Sequence, residues 1–286
     1  MRGATTGNSI RVGQRQHHPH PTLPLNGRTP ARRRSASRSR VEVIRIPILH
    51  AGVREPFPPV ETAFDEPNGL LAAGGDLAPE RLLEAYRHGI FPWFSEGEPI
   101  LWWSPDPRMV FATGEVHVST RMRRWLRHCD WTIRADTMFG EVMRACAAPR
   151  AAQRGTWITR GMLNAYGTLH ELGYAHSIEA FDRDGRLVGG IYGVAIGRMF
   201  FGESMFSSAT NGSKVALIAL CRALQRWDFP LVDAQVASPH LERMGAVEMP
   251  RSQFVAHVAE YCSRPAPPLS SWRQQWPLSS AADLAE

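Results

Sequence analysis

Two short stretches carry the residue types needed for acyl or proton chemistry. In Leu231-Val-Asp233-Ala-Gln235-Val, strand alternation places Asp233 and Gln235 on one face and Val232, Ala234 and Val236 on the other. A carboxylate beside an amide can orient and deprotonate a nucleophile. A neutral amide is a poor base, so Asp233 is the expected proton acceptor and Gln235 the positioner. A solvated strand face is the plainer alternative. In Phe200-Phe-Gly-Glu203-Ser-Met205-Phe, a carboxylate stands inside an apolar run, where burial is costly unless it is paired. Glu203 can hold a substrate ammonium at the foot of a pocket lined by Phe200 and Met205, or be one structural carboxylate in a core strand. The polar loop from Ser207 to Lys214 opens a helix whose N-terminus can bind an anion, with Asn211 or Ser213 as its cap.

Aromatic and basic residues suggest a second kind of contact. Nine tryptophans are present, several in Pro/Gly-rich loops (Trp93, Trp102, Trp103, Trp157). Loop tryptophans can stack on nucleic-acid bases, although any single one is by default a packing residue. Arg121, Arg123, Arg124, Arg127 and His128 crowd one short helix, either as a solvated face or as a phosphate-contacting one.

Composition narrows the classes. The chain has 286 residues, 43% hydrophobic and 21% charged, which suits one or two domains with real cores. No apolar run reaches membrane-spanning length; Leu187 to Gly202 is broken by glycines and Arg198. The net charge is +6, yet residues 1–40 alone hold nine arginines and no acid, so the remainder is net negative. Whole-chain charge is therefore no argument for nucleic-acid binding. Cys129, Cys146, Cys221 and Cys262 show no paired spacing, which argues against a zinc site or disulfide framework and fits a reducing cytoplasm. Walker, GxSxG, HExxH and Rossmann patterns are missing, as is the Arg/Gln-x-x-Gly-x-Gly/Ala loop that coenzyme A requires.

The elements that must position these residues follow from punctuation and periodicity. Residues 1–40 read as a disordered basic leader. Residues 41–112 form a small N-terminal domain, with a helix from Pro79 to before Gly89. Residues 113–264 alternate regularly: helices over 119–128, 136–147 and 159–172 (the last stopped by Gly173, with Met162, Tyr166 and Leu169 on one face), a strand–turn–strand over 174–195, and a strand over 198–203. A helix over 213–227, a strand over 231–236 and helices over 239–244 and 251–261 follow. Residues 265–286 form a Pro/Trp-containing tail that drapes over the domain or is disordered. The order matches an α/β fold of the acetyltransferase-like (GNAT-type) kind, a mixed-sheet sandwich preceded by a small α+β domain, better than it matches the alternative, a doubly wound nucleotide fold.

Glu66-Pro-Asn-Gly-Leu-Leu-Ala, Ala85-Tyr-Arg-His-Gly-Ile-Phe-Pro-Trp93-Phe, Leu101-Trp-Trp-Ser-Pro-Asp-Pro-Arg108 and Gly155-Thr-Trp157-Ile-Thr continue into Leu187-Val-Gly-Gly-Ile-Tyr-Gly193, Gly202-Glu-Ser-Met-Phe-Ser207 and Asp233-Ala-Gln235. In these blocks, spread over residues 55–262, the chain resembles the leucyl/phenylalanyl-tRNA–protein transferases of bacteria. The resemblance implies transfer of Leu, Phe or Met from aminoacyl-tRNA to proteins with an N-terminal Arg or Lys, creating an N-degron, without coenzyme A. It implies catalytic roles for Asp233, Gln235 and Glu203. Trp93 and Trp157 would hold the terminal adenosine, and Ile191, Phe200, Met205, Leu217 and Leu220 would line the side-chain pocket. The helix at 121–128 would face tRNA. Gly212 departs from the usual Asn-Ala-Ser-Lys and is expected to weaken that helix start slightly. A cytoplasmic monomer with no metal is expected. A coenzyme-A-dependent acetyltransferase and a non-catalytic RNA-binding protein are the competing classes.

Overall fold

Proline and glycine punctuation, together with hydroxyl caps, sets the helices where the sequence indicates. Helix α1 (Pro79–Arg87) starts on a proline, whose missing N–H is no loss at that position, and is followed by Gly89 at φ +72°. Ser119 Oγ accepts the Met122 N–H at 3.2 Å to cap α2 (Thr120–Leu126), and Thr159 Oγ1 accepts the Met162 N–H at 3.3 Å to cap α4 (Arg160–Glu171). Between them, α3 (Phe139–Ala147) begins three residues later than expected, because Asp136 takes φ +54°. The computed structural model describes residues 45–148, 156–267 and 271–286, so the arginine-rich leader lies outside the described residues.

Within Ile48–Glu286 there are two sheets. The smaller, in the order β1-β2-β4-β3, joins β1 (Ile48–Leu49), β2 (Leu70–Gly74), β3 (Phe91–Pro92) and β4 (Leu101–Trp103). The larger has seven strands in the order β11-β5-β10-β9-β8-β7-β6. These are β5 (Arg108–Ala112), β6 (Thr132–Ala135), β7 (Ala175–Phe181), β8 (Leu187–Ile196), β9 (Met199–Ser207), β10 (Leu231–Gln235) and β11 (Val247–Met249). Every neighbouring pair is antiparallel except β9 and β10, which run parallel and are connected by α5 (Gly212–Arg226). Helices α6 (Pro239–Arg243), α7 (Arg251–Ser263) and α8 (Trp272–Gln275) complete the chain. The fold is mixed α/β. No helix among the described residues is long and apolar enough to cross a membrane.

Five details differ from the sequence reading. The boundary expected near residue 112 falls inside the larger sheet, because β5 pairs with both β10 and β11. Strands β6 and β11 are short edge strands whose brevity gives little periodic signal. The tail is packed rather than merely draped: Trp272, Ala281 and Leu284 are buried in the core between the sheet and α5. Asn211 does not cap α5 with its side chain; Ser207 Oγ accepts the Ser213 N–H at 2.7 Å instead. Gly212, read as a weakness, has a packing reason, since a Cβ there would lie 2.2 Å from the Val188 carbonyl oxygen.

Gly193 on β8 is a sharper case of close approach. A Cβ would stand 2.2 Å from the Phe201 carbonyl oxygen and 2.6 Å from the Phe200 ring. Backbone cannot yield as a side-chain tip can. Gly193→Ala is expected to destabilise the protein by about 1–3 kcal/mol, the range for overpacking. A urea midpoint equal to that of the wild type would contradict this reading of the strand pair.

Candidate active site

The site forms where the two parallel strands part. Strand β9 pairs with β8 as Gly193↔Gly202 and then Tyr192↔Ser204, which leaves Glu203 as an extra residue. Strand β10 pairs with β5 as Asp233↔Val110 and then Gln235↔Met109, which leaves Ala234 extra and Gln235 at φ +62°. These are β-bulges, and each re-aims the side chains beyond it. The pairing of β9 with β10 ends at Phe201↔Asp233, the level of both bulges. Across the gap the Gln235 Nε2–H donates to Glu203 Oε1 at 2.8 Å.

Glu203 is nearly sequestered from solvent, at 9% exposure. Tyr86 of α1 donates to its Oε1 at 2.7 Å, the Tyr166 hydroxyl of α4 lies 3.0 Å from its Oε2, and the two phenol oxygens are hydrogen-bonded to each other. Three hydroxyl contacts close this ring, and each requires a hydrogen. The two phenols supply two, and a protonated carboxyl would supply the third. The electrostatics agree. Burial pushes the Glu203 pKa up to about 8, with the Asp233 charge adding to the rise and the Tyr86 and Tyr166 hydrogen bonds and Arg108 opposing it. Burial, and next the Glu203 charge, also hold Tyr86, Tyr166 and Tyr192 well above the usual phenol range. The Tyr192 hydroxyl is buried with no hydrogen-bond partner among the described residues, while its ring packs edge-on against Tyr166. Leaving a buried hydroxyl unpaired is costly unless a water or a bound group reaches it.

Asp233 does not fit the role of free proton acceptor. Arg108 grips both of its oxygens, Nε to Oδ1 at 2.8 Å and Nη2 to Oδ2 at 2.7 Å, and both side chains are completely buried. Oδ1 also accepts the Gln235 backbone N–H at 2.9 Å. The guanidinium lies between the Phe91 and Phe254 rings, 4.7 and 4.6 Å from their centroids, and its Nη1 donates to the Gly89 carbonyl at 3.1 Å. Removing one partner of such a pair strands a buried charge, at a cost of about 3–5 kcal/mol. Asp233 is thus a positioning residue: it ties β10 to β5 and holds the Gln235 backbone in its left-handed conformation.

The five expected pocket residues all fall in the main hydrophobic core of the larger sheet. Ile191, Phe200, Leu217 and Leu220 are buried in one cluster on the α5 side of the sheet, and Met205 packs against it. Phe200 and Met205, five apart, would face opposite ways on a regular strand; the Glu203 bulge puts them on the same side. Val232 belongs to the same cluster and was not singled out from sequence. Trp93 is half-buried, its ring 5.6 Å from that of Trp103, whose Nε1–H donates to the Trp93 carbonyl at 2.7 Å. Trp157 is half-buried, just ahead of the Thr159 cap of α4. The two tryptophans flank the helices that deliver Tyr86 and Tyr166, but neither ring makes a described contact with Glu203. Arg121, Arg123, Arg124, Arg127 and His128 are all exposed, while Met122 and Leu126 face inward. Sequence reasoning missed Arg108, Tyr86 and Tyr192 as site residues. It placed Tyr166 on a buried helix face without a role.

Comparison with known proteins converges on one family. Residues 110–259 match the family described as leucyl/phenylalanyl-tRNA protein transferase, and residues 75–106 match its N-terminal domain. A leucyl/phenylalanyl-tRNA–protein transferase of Xanthomonas campestris pv. campestris is 60% identical over 239 residues, covering 83% of this chain and 95% of that one. That of Thiobacillus denitrificans is 60% identical over 209 residues, covering 73% and 91%. Among solved structures, L-PGS from Bacillus licheniformis aligns over 70% of this chain and 63% of that one with a TM-score of 0.34 and 12% identity, too slight a likeness to name the fold. The class is therefore that of a transferase. The chain belongs to the leucyl/phenylalanyl-tRNA–protein transferase family.

The Glu203 proton has a consequence for stability. Its pKa is raised from the reference 4.5 to about 8 on folding, so between those values the unfolded chain ionises first. Glu203's contribution is complete below the lower value and is lost as pH rises through the window. Glu203→Gln keeps the shape of the neutral acid and has no charge to gain. Urea denaturation across this pH range should show the variant gaining on the wild type by of order one kcal/mol per pH unit. Parallel pH profiles would mean that Glu203 is ionised in the folded protein.

Proposed function

We propose that the protein transfers leucine, phenylalanine or methionine from aminoacyl-tRNA to the α-amine of an N-terminal Arg or Lys. The new peptide bond marks the acceptor for N-degron degradation. The observation that carries this reading is the Glu203–Gln235 pair at the parting of β9 and β10, with an apolar cluster on the other side of the same strands. We also read the larger sheet as GNAT-type. A single parallel pair, joined by a crossover helix and splayed at one end, supports that reading, since the splay frees backbone groups to grip an acyl chain.

The reaction is aminolysis of an ester. The acceptor nitrogen attacks the carbonyl carbon, a C–N bond forms, and the C–O bond to the ribose oxygen breaks. The nitrogen sheds one proton and the ribose oxygen gains one, so the balance is zero. An α-amine has a reference pKa of about 7.7–8.0, so a useful fraction is neutral at cell pH. Orientation of the two reactants can supply roughly 7–11 kcal/mol of the barrier. Glu203, neutral and linked to Tyr86 and Tyr166, gives a proton to the leaving oxygen and takes up the one the amine releases. Gln235 keeps the Glu203 carboxyl aligned and can turn its amide toward the developing oxyanion. Asp233 acts through Gln235 rather than on the substrate.

Ile191, Phe200, Met205, Leu217 and Leu220 set the choice of side chain. Such a pocket separates Leu from Ala well and Leu from Met poorly, because one methylene is worth about 1–3 kcal/mol. Trp93 and Trp157 stack on the terminal adenosine, and the arginines of α2 meet the RNA phosphates.

The test is label transfer. With radiolabelled leucyl- or phenylalanyl-tRNA and a protein beginning with Arg, label should enter protein, and Glu203→Gln should slow it by about 10²–10⁴, the span of acid–base catalysis. Absence of label together with acetyl transfer from acetyl-coenzyme A would replace this reading with the acetyltransferase one.

A further inference from the structure

A second cavity lies apart from Glu203 but at the same end of the sheet. It measures about 340 Å³ and is bounded by α2, α5 and α6. His117, Lys214, His240 and Arg243 line it, together with Ser119 and two methionines, and no carboxylate does. None of the four basic side chains has an ion pair or side-chain hydrogen bond among the described residues. His240 registers the crowding: burial, then Lys214 and Arg243, lowers its pKa. Cationic groups that converge on one cavity without a counter-charge repel one another, and an anion would relieve that repulsion.

Its place in the fold says which anion. Lys214 is in the first turn of α5, which starts five residues beyond the end of β9. His240 and Arg243 lie in α6, which starts four residues beyond Gln235. The cavity therefore sits at the carboxyl ends of the two strands whose parting forms the candidate site. Its α2 wall continues outward into exposed Arg121, Arg123 and Arg124. An acceptor beginning with Arg or Lys would be repelled here, whereas a polyanion that places its end beside Glu203 would be drawn in.

We propose that this cavity is a phosphate subsite, in which Lys214 and Arg243 hold a backbone phosphate of the RNA whose 3′ end reaches the Glu203–Gln235 pair. The subsite rests on the transferase reading for its ligand. Lysine meets phosphate as a point charge, and arginine meets it with two parallel N–H donors, so together they suit a group with several acceptor oxygens. Serine 119 is occupied in capping α2 and adds nothing to the charge.

The experiment uses the full chain. Filter binding of tRNA across a salt series should show the log–log slope shrinking by about 0.7 for Lys214→Met or Arg243→Met and roughly 1.4 for the pair, the single-strand increment per phosphate contact. An unchanged slope in a double variant with the wild-type melting temperature overturns the proposal. Lys214 is the sole lysine of the chain, so reductive methylation provides a second readout on the wild-type protein alone. tRNA should slow labelling of Lys214 severalfold. Labelling that tRNA leaves unchanged, or that only inorganic phosphate slows, counts against an RNA subsite. Transfer from phosphate-free leucyl-adenosine by the wild-type protein tests the transferase reading separately. If it succeeds while Lys214 is unprotected, the subsite fails; if it fails while tRNA protects Lys214, the subsite stands and the transferase reading fails.

Discussion

Two carboxyl groups are buried beside one another here, and among the described residues only one cation is buried with them. Arg108 spends both arms of its guanidinium fork on Asp233, which leaves Glu203 nothing but neutral donors: two phenols and an amide. In such surroundings a second negative charge is unfavourable, and the proton is retained. The chemistry assigned to the site descends from that imbalance. A protonated acid, hydrogen-bonded to a positioned amide and to two phenols, is equipped both to give and to receive a proton at neutral pH. An ionised one would be only an anchor for positive charge.

The scaffold exists to maintain this arrangement. Strands β9 and β10 pair in parallel up to Phe201 and Asp233, and each then spends one residue on a bulge. The first bulge returns Met205 to the α5 side with Phe200, opposite the face on which Glu203 meets α1 and α4. The second lets Gln235 leave the regular alternation and reach Glu203. Without the first bulge, Phe200 and Met205 could not share the α5 side of the same nine-residue strand. The smaller sheet contributes by its connections, since α1 between β2 and β3 carries Tyr86, and Phe91 of β3 covers the Arg108 guanidinium.

Much of this was legible in the sequence, and the reasons for the remainder are physical. Pro79, Ser119 and Thr159 mark helix starts because caps are local, and Gly89 and Gly173 mark stops for the same reason. Strand alternation and the apolar run around Glu203 singled out Asp233, Gln235 and Glu203, and the resemblance to a known family gave them catalytic roles. Period-two alternation correctly gave Asp233 a face, but no local rule names its partner, which stands 125 residues away at Arg108. Bulges are likewise invisible in one strand, because an extra residue is defined only by the register of its neighbour. Tyr166 read as a core residue alongside Met162 and Leu169, which is true of its ring; the destination of its hydroxyl is a tertiary fact. The same limit hid Trp272, whose contacts with His176, Phe200 and Trp227 make the tail part of the core.

The claim that most of the account depends on is the protonation state of one side chain. Infrared difference spectroscopy between the wild-type protein and Glu203→Gln, near neutral pH and with carbon-13-labelled glutamate to assign the bands, reads it directly. The account predicts that the substitution removes a carbonyl stretch of a protonated carboxylic acid. A difference spectrum containing only the paired bands of an ionised carboxylate would contradict it, and would return Glu203 to the role of a fixed negative charge.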